Sequence, residues 1–524
     1  VAYPLILTAG EAMSAPDFTS KWFAEFAGRP DEWRALWGSL WISLATVALS
    51  AAIGIPLAFL FERTEFPGRR AIGALIALPV VLPPLVGVVA FLFLWGESGL
   101  VARAVQAATG ARTPWRLAGP GAILLVHAYS MYVYFYLFTR AGLARLDASY
   151  LESAAALGAG GWRKLTRVTL PLLAPALTGA ALLTFMTSLG SFSAPYLLGG
   201  TFRVMTTQIL VSRLNGDLPM AMVETVVLAA VALAGLFLLQ RSDRGREVIG
   251  AVRGIAPRRA LGGSGPVVAL AGWALAIVLL LPHATLVLLS FVPAGTWRAE
   301  PFPPVLSPKN YLALASEPER LRPIVNSLWM ATAATLAALG LGLAAARLAL
   351  AKGSRFKRPL ETLVAVPWAL PGTVFAVALA ATFSIDVPWA GRFVLVGTAW
   401  ILPLAYLVRS LPLTGRAAFA GLAQLDPALE EAGAALGASR SRRFLKVTLP
   451  MLRPALVAGA SLAFLTALGD FVASIVLYTY ETRPISIEIL SSLRMQDTGV
   501  AAAYGVLLAA LSAAVFLAFP REGA

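Results

Sequence analysis

The chain contains no cysteine and two histidines, and 13% of its 524 residues are charged. Without cysteine there is no disulfide framework, no thiol chemistry and no Cys-ligated metal. The histidines, His127 and His283, both fall in apolar stretches, with no second His or carboxylate at helical spacing. They read as packed or pore-lining groups, and no metal site is expected. A phosphate-binding loop of the form G-x-x-x-x-G-K-[ST] is also missing, since Gly158–Lys164 lacks the Gly-Lys pair. The chain is therefore not expected to hydrolyse ATP, and no catalytic residues are assigned. The shortage of charge excludes an ordinary soluble domain, in which about 25% of residues are charged.

Apolar residues fill the space. They make up 58% of the chain, and the mean hydropathy is +0.76. Runs of about 20 apolar residues cross a bilayer core, and in lipid each must be a helix that satisfies its own backbone. Such runs fall at about 36–61, 71–95, 119–140, 176–199 and 219–240, then at 265–292, 324–350, 360–385, 393–412, 455–479 and 499–520. The opening stub, 1–9, is expected to be the remainder of a first span, because the second half has a full one at 265–292. The expectation is an all-α membrane protein of about twelve spans. The net charge of +15 does not indicate nucleic acid, because the Arg and Lys residues sit in short loops between spans. The basic loops Glu62–Arg70, Arg140–Arg167, Arg241–Arg259, Lys352–Arg358 and Arg409–Lys446 are placed in the cytoplasm. Loops such as 10–35 and 293–322, with mixed charge, Trp, Tyr and Pro, face outward.

One pattern occurs twice. Residues 147–177 read DASYLESAAALGAGGWRKLTRVTLPLLAPAL, and 426–456 read DPALEEAGAALGASRSRRFLKVTLPMLRPAL, at a constant offset (431 − 152 = 279) with about half the positions identical. Ser39-Leu40-Trp41 recurs as Ser327-Leu328-Trp329, and Leu78-Pro79…Leu82-Pro83 as Val366-Pro367…Leu370-Pro371. That offset is 288, so the first half carries about nine extra residues, expected within 96–118. Six spans per half make a parallel repeat: a first unit over 1–245, a basic linker over 246–264 and a second unit over 265–524. The repeated loops occupy 141–175 and 413–454.

Each repeated loop reads as a stiff bracket. Asp147 or Asp426 caps an Ala-rich helix, with Pro427 at its first position, and Gly158 or Gly437 stops it. A basic helix follows. Leu170-Pro171 and Leu449-Pro450 are then expected to turn the chain, with Pro175 and Pro454 opening the next spans. An amphipathic loop lying on headgroups would explain one copy. It would not explain why Glu, Gly and Leu-Pro keep one register in both, which a docking element for a protein partner requires.

These residues resemble the EAA loop of bacterial binding-protein-dependent ABC importer permeases. Glu152, Gly158, Val168, Leu170 and Pro171 fill that pattern, as do Glu431, Gly437, Val447, Leu449 and Pro450, with Ser153 and Gly433 as small departures. The resemblance covers essentially the whole chain. It implies the type I importer fold, and it makes Glu152, Ala155, Gly158, Leu170, Pro171, Glu431, Ala434, Gly437, Leu449 and Pro450 a coupling surface. It further implies two copies of a separate ATPase, which would hold ATP and Mg, and a soluble substrate-binding protein on the outer face. The run Ser191-Phe192-Ser193-Ala194-Pro195-Tyr196-Leu197-Leu198-Gly199-Gly200 and Leu468-Gly469-Asp470-Phe471 look most like the iron(III) branch. Thiamine, polyamine and phosphonate stand behind ferric iron as cargo.

For the pathway, Pro79, Pro83 and Pro84, mirrored by Pro367 and Pro371, are candidates for a gate-forming third span in each half, or for packing kinks. Asp470 and its repeat partner Ser191 either line the pathway or make structural hydrogen bonds. Glu224 is similar but nearer a helix end. The tyrosines Tyr129, Tyr132, Tyr134 and Tyr136 read as ordinary for membrane helices. An ion-coupled secondary transporter is the rival class, disfavoured by the few ionisable residues within spans. A membrane enzyme lacks any His/carboxylate or Ser/Lys cluster.

Overall fold

The computed structural model describes residues 2–13, 20–110, 115–243, 258–297, 300–351, 354–384 and 393–518. Most of the linker expected at 246–264 lies outside them. Among the described residues, nine helices are long and apolar enough to cross a bilayer. A tenth span is the pair Lys357–Ala369 and Gly372–Phe383, bent by 107°. Ala2–Ala12, a helix of 11 residues, is too short to cross a bilayer core. Ile401–Gln424 has the length, but with Arg409 and Arg416 inside it is not among the nine.

Each half repeats one helical order. Pro30–Arg63 packs along Pro120–Ala144 as Pro318–Leu350 packs along Ile401–Gln424. The close approach is specified by matched glycines. A Cβ on Gly54 would lie 2.4 Å from the Tyr132 carbonyl oxygen, and one on Gly342 would lie 2.9 Å from Gly415 Cα. Small residues let helix backbones meet where lipid supplies no hydrophobic drive.

The two halves interlock through their first helices. Ala2–Ala12 packs on Leu218–Asp243 of its own half and on Gly372–Phe383 of the other. Gly265–Ser290 packs on Thr498–Ala518 of its own half and on Pro84–Trp95 of the other. The chain entering the second half is also tied to the first. Residues Thr64–Glu65 and Arg259–Ala260 pair in parallel, and Glu62 accepts from Arg140 at 3.3 Å and from Arg258 at 3.0 Å.

Three details differ from the sequence reading. The span expected over 71–95 is broken into Arg69–Ala77, a 3-10 turn Leu78–Val81 and Pro84–Trp95. Proline pushes the residue before it into extended conformation, and Leu82, Pro83 and Leu370, each followed by a proline, have ψ between 133° and 140°. The span expected over 393–412 begins at Ile401 and runs on to Gln424. The Thr398 hydroxyl closes a turn on the Leu395 carbonyl at 2.7 Å, and the Ala- and Leu-rich residues beyond 412 continue the helix. The spans expected over 176–199 and 455–479 stop at Leu189 and Leu468, and the separate short helices Ser193–Leu198 and Val472–Leu477 follow. The extra length of the first half lies where expected, within 96–118, as the helix Leu100–Thr109.

Candidate functional site

The repeated brackets fold alike. The Asp147 carboxylate accepts from the Ser149 amide, and Asp426 from the Ala428 amide, both at 2.9 Å. The capped helices span Ala148–Ala156 and Pro427–Ala435. Gly158 and Gly437 stop them at φ +77° and +76°, a conformation that favours glycine. Their amides donate to the Ala155 and Ala434 carbonyls at 2.9 Å, which gives those alanines a role in the stop. This stop throws the preceding residue outward, leaving Leu157 89% exposed and Leu436 88% exposed. Glu152 and Glu431 are exposed as well, with no hydrogen-bond or ion-pair partner among the described residues. Each bracket thus presents one bare carboxylate and one bare leucine at the same two positions. The leucines were missed in sequence, although both stand beside the glycine in each copy.

The turn expected at Leu170-Pro171 and Leu449-Pro450 is corrected by the structure. The basic helix Gly161–Lys164 continues through a π-helical turn, Leu165–Thr169, into Leu170–Leu189, with Pro175 inside the helix. The second copy does the same through Phe444–Thr448 into Leu449–Leu468, with Pro454 inside. Proline offers no N–H and crowds the carbonyl four residues before it, and the wider turn makes room for the ring. The brackets differ in one respect. In the second, Thr448 donates to the Glu430 carboxylate at 2.6 Å, a tie that Leu151 cannot provide in the first.

A second site lies where the halves meet. A Cβ on Gly469 would lie 3.0 Å from Pro83, and one on Gly190 would lie 3.5 Å from Pro371. Pro83 and Pro371 are repeat equivalents, as are Gly190 and Gly469, so one contact occurs twice across the seam. It brings Pro83 beside Asp470 and Pro371 beside Ser191 in the chain, joining four of the pathway candidates. Pro79 and Pro367 sit in the segments before the breaks, buried. Between the two contacts, Phe192 and Phe471 meet with ring centroids 5.7 Å apart, at 1% and 2% exposure. They too are equivalents (471 − 192 = 279), although the offset does not show that they touch.

Asp470 has a structural hydrogen-bonding role. Its carboxylate caps the helix Val472–Leu477 through the Ala473 and Ser474 amides, at 2.8 and 3.3 Å, and pairs with Arg409. The first half keeps the positions neutral, with Ser130 for Arg409 and Ser191 for Asp470. There Ser191 bonds His127 Nε2 at 2.9 Å, and His127 Nδ1 meets Thr46 and Ser188 at 3.2 Å. Asp470→Ala is expected to destabilise the protein by about 3–5 kcal/mol, because it strands a part-buried guanidinium. Asp470→Ala combined with Arg409→Leu should recover part of that loss, measured as the unfolding midpoint in detergent.

Two permease-like halves meeting at a symmetric seam agree with what the chain resembles. The family described as "Binding-protein-dependent transport system inner membrane component" matches residues 50–245 and 338–520. The chain belongs to that family. It is 30% identical over 93% of its length to the "Probable ABC transporter permease protein y4fN" of Sinorhizobium fredii, of which it covers 87%. It is 29% identical, over 93% of its length and 70% of the relative's, to the "Ferric transport system permease protein FbpB" of Actinobacillus pleuropneumoniae. The "Molybdenum transport system permease protein ModB" of Mycobacterium tuberculosis is 32% identical over 40% of this chain and 79% of its own length. This is an ABC permease subunit, an all-α, multi-pass protein of the inner membrane.

On the face assigned outward, the permease holds a cavity of about 1420 Å³ between its halves. Its wall is charged and mostly paired. Arg116 meets Glu97 at 3.2 Å, Arg320 meets Glu317 at 2.6 Å, and Arg483 meets Glu488 at 3.1 Å. Leu197 and Leu198, next to Tyr196, also line it. The remaining polar residues hold helices together. Tyr129 donates to the Leu279 carbonyl at 2.8 Å and meets His283 Nδ1 at 3.2 Å, while Tyr136 donates to the Gly73 carbonyl at 3.3 Å. Glu224 accepts from Ser212 at 2.6 Å, and Gln208 donates to the neighbouring Glu32 at 3.0 Å. Among the described residues no group of three His, Asp or Glu is placed to hold a metal.

Proposed function

We propose that this permease forms the translocation pathway of an ATP-driven importer, is powered through its two brackets, and carries ferric iron. The observation that supports the power route is the doubled bracket, with an exposed Glu, unpaired among the described residues, and a bare Leu at matching positions in both halves. A leucine left in water at a helix stop gains about 1.5–3 kcal/mol when a groove covers it. Glu152 and Glu431 beside it supply the charge that sets register in such a groove. The partner is a separate ATPase, one copy per bracket, holding ATP and Mg; a substrate-binding protein delivers solute to the outer cavity. Closure of the ATPase pair draws the brackets together, the halves rock, and the Phe192–Phe471 contact opens. The two states are switched because each partner binds them unequally.

Iron is favoured over the other cargoes because the ferric permease relative aligns along nearly the whole chain, whereas the molybdenum relative aligns with less than half. The residues quoted around Ser191 and Asp470 support the same branch. The test is uptake by proteoliposomes reconstituted with the ATPase and solute receptor that a pull-down on this chain recovers. Radiolabelled ferric iron should accumulate with ATP inside and persist when the proton gradient is collapsed. Accumulation of molybdate or thiamine in place of iron sinks the cargo, and dependence on the proton gradient sinks the importer reading. In the same preparation, Leu157→Asp with Leu436→Asp should weaken ATPase retention at least about tenfold, since 1.4 kcal/mol is tenfold in affinity.

A further inference from the structure

A smaller cavity, about 330 Å³, adjoins the outer one and shares Tyr480 and Arg483 with it. Tyr478, Ser491 and Arg494 complete its polar lining, and neither Asp nor Glu lines it. Arg483 is held in place, paired with Glu488 at 3.1 Å and stacked 4.5 Å from the Tyr480 ring. Its Nε is buried and has no hydrogen-bond partner among the described residues. Arg494 has no carboxylate within ion-pair distance among the described residues. Its guanidinium instead donates to the hydroxyl of Tyr196, in the other half of the chain.

That hydroxyl belongs to the seam. Tyr196 stacks on Phe192 with centroids 5.1 Å apart and stands edge-on to Phe471 at 6.2 Å. One arginine therefore joins an outward cavity to the ring cluster at the seam between the halves. The arrangement exists on one side only. Leu214 ends the helix Met205–Leu214 as Arg494 ends its counterpart Ile485–Arg494, where the offset has grown to 280 (494 − 280 = 214). Ile475 stands for Tyr196 (196 + 279 = 475), and Arg203 is bonded to Gln208 at 3.1 Å. The seam is symmetric, but this link to it is not.

We propose that the small cavity is an oxyanion site whose occupancy unlatches the seam. A carboxylate or phosphate group travelling with the solute engages Arg483 and Arg494. Guanidinium groups match such oxygens with paired hydrogen bonds. Drawing Arg494 off Tyr196 removes the donor from that hydroxyl and leaves the Phe471 ring as the second half's remaining hold on the stack. The anion and the Tyr196 hydroxyl thus compete for one guanidinium, and by linkage whatever weakens one contact strengthens the other. The proposal takes from the importer reading only the direction of travel.

The test is calorimetric titration of citrate, as probe, into the full-length permease in phosphatidylcholine nanodiscs. Arg494→Leu, the residue its repeat carries, should weaken binding at least about tenfold, and Arg494→Lys should recover most of it. Tyr196→Phe should tighten binding by about threefold, because the competing hydroxyl is gone. Wild-type binding by Arg494→Leu overturns the site. Weakening by Arg494→Leu with no change in Tyr196→Phe overturns the latch. Loss of citrate binding when phosphatidylglycerol is added to the nanodiscs assigns the site to a lipid headgroup and overturns the solute source. Citrate binding needs neither ATPase nor transport, so a negative result here leaves the importer reading standing, and failed iron uptake leaves this one standing. Arg494 is exposed, and the unfolding midpoints of its variants should match the wild type.

Discussion

Replacing Glu152 and Glu431 together with alanine is expected to abolish ATP-driven uptake while the permease remains inserted and folded. Both carboxylates are exposed and without a partner among the described residues, so their removal takes nothing from that fold. In a docked complex each becomes a desolvated charge, and truncating one partner of such a pair costs about 2–5 kcal/mol. Two lost pairs exceed what a transient contact can absorb, so the ATPase should no longer copurify and uptake should fall to background. The measurements are uptake, ATPase retention and the unfolding midpoint, with the midpoint unchanged. Normal transport by the double variant would remove the brackets from the power route. A single replacement should leave a measurable remainder, and the second bracket, tied by Thr448 to Glu430, should tolerate its loss less well.

The second large effect concerns the seam. Phe192→Ala with Phe471→Ala is expected to let proteoliposomes leak entrapped citrate without ATP, at least about tenfold faster than wild type, because an apolar constriction seals by excluding water. The wild-type rings are almost fully buried against each other, which leaves no wetted path between them. Phe192→Leu with Phe471→Leu keeps the constriction apolar and should stay sealed, separating loss of the seal from loss of aromatic contact. Core Phe→Ala changes cost about 3–5 kcal/mol, so the leak must be read alongside the unfolding midpoint. An alanine double variant that stays folded at the assay temperature and does not leak would place the seal elsewhere.

Much of the brackets was legible before any coordinates. Their caps, stops and register follow from Asp, Pro and Gly at fixed places, because local backbone chemistry decides where a short helix begins and ends. The continuation through Leu170-Pro171 and Leu449-Pro450 was misread for a related reason. Proline usually marks a break, but a single wide turn can absorb it, and no local signal separates the two outcomes. The shift of the 393–412 span to Ile401–Gln424 has a similar origin, since residues 393–400 are apolar enough to pass for membrane helix. Asp470 stood out in sequence as a carboxylate inside a span, yet its partner did not, because Arg409 is 61 residues away.

By itself the sequence determined the membrane environment, the doubled architecture and the two brackets. These rest on apolar run length, on loop charge and on a repeat offset, all of which are one-dimensional quantities. Only the tertiary structure decided that Pro83 meets Gly469, that Phe192 meets Phe471, and that Arg494 reaches Tyr196. Those contacts join residues of opposite halves, and the packing that brings them together leaves no periodic trace along the chain.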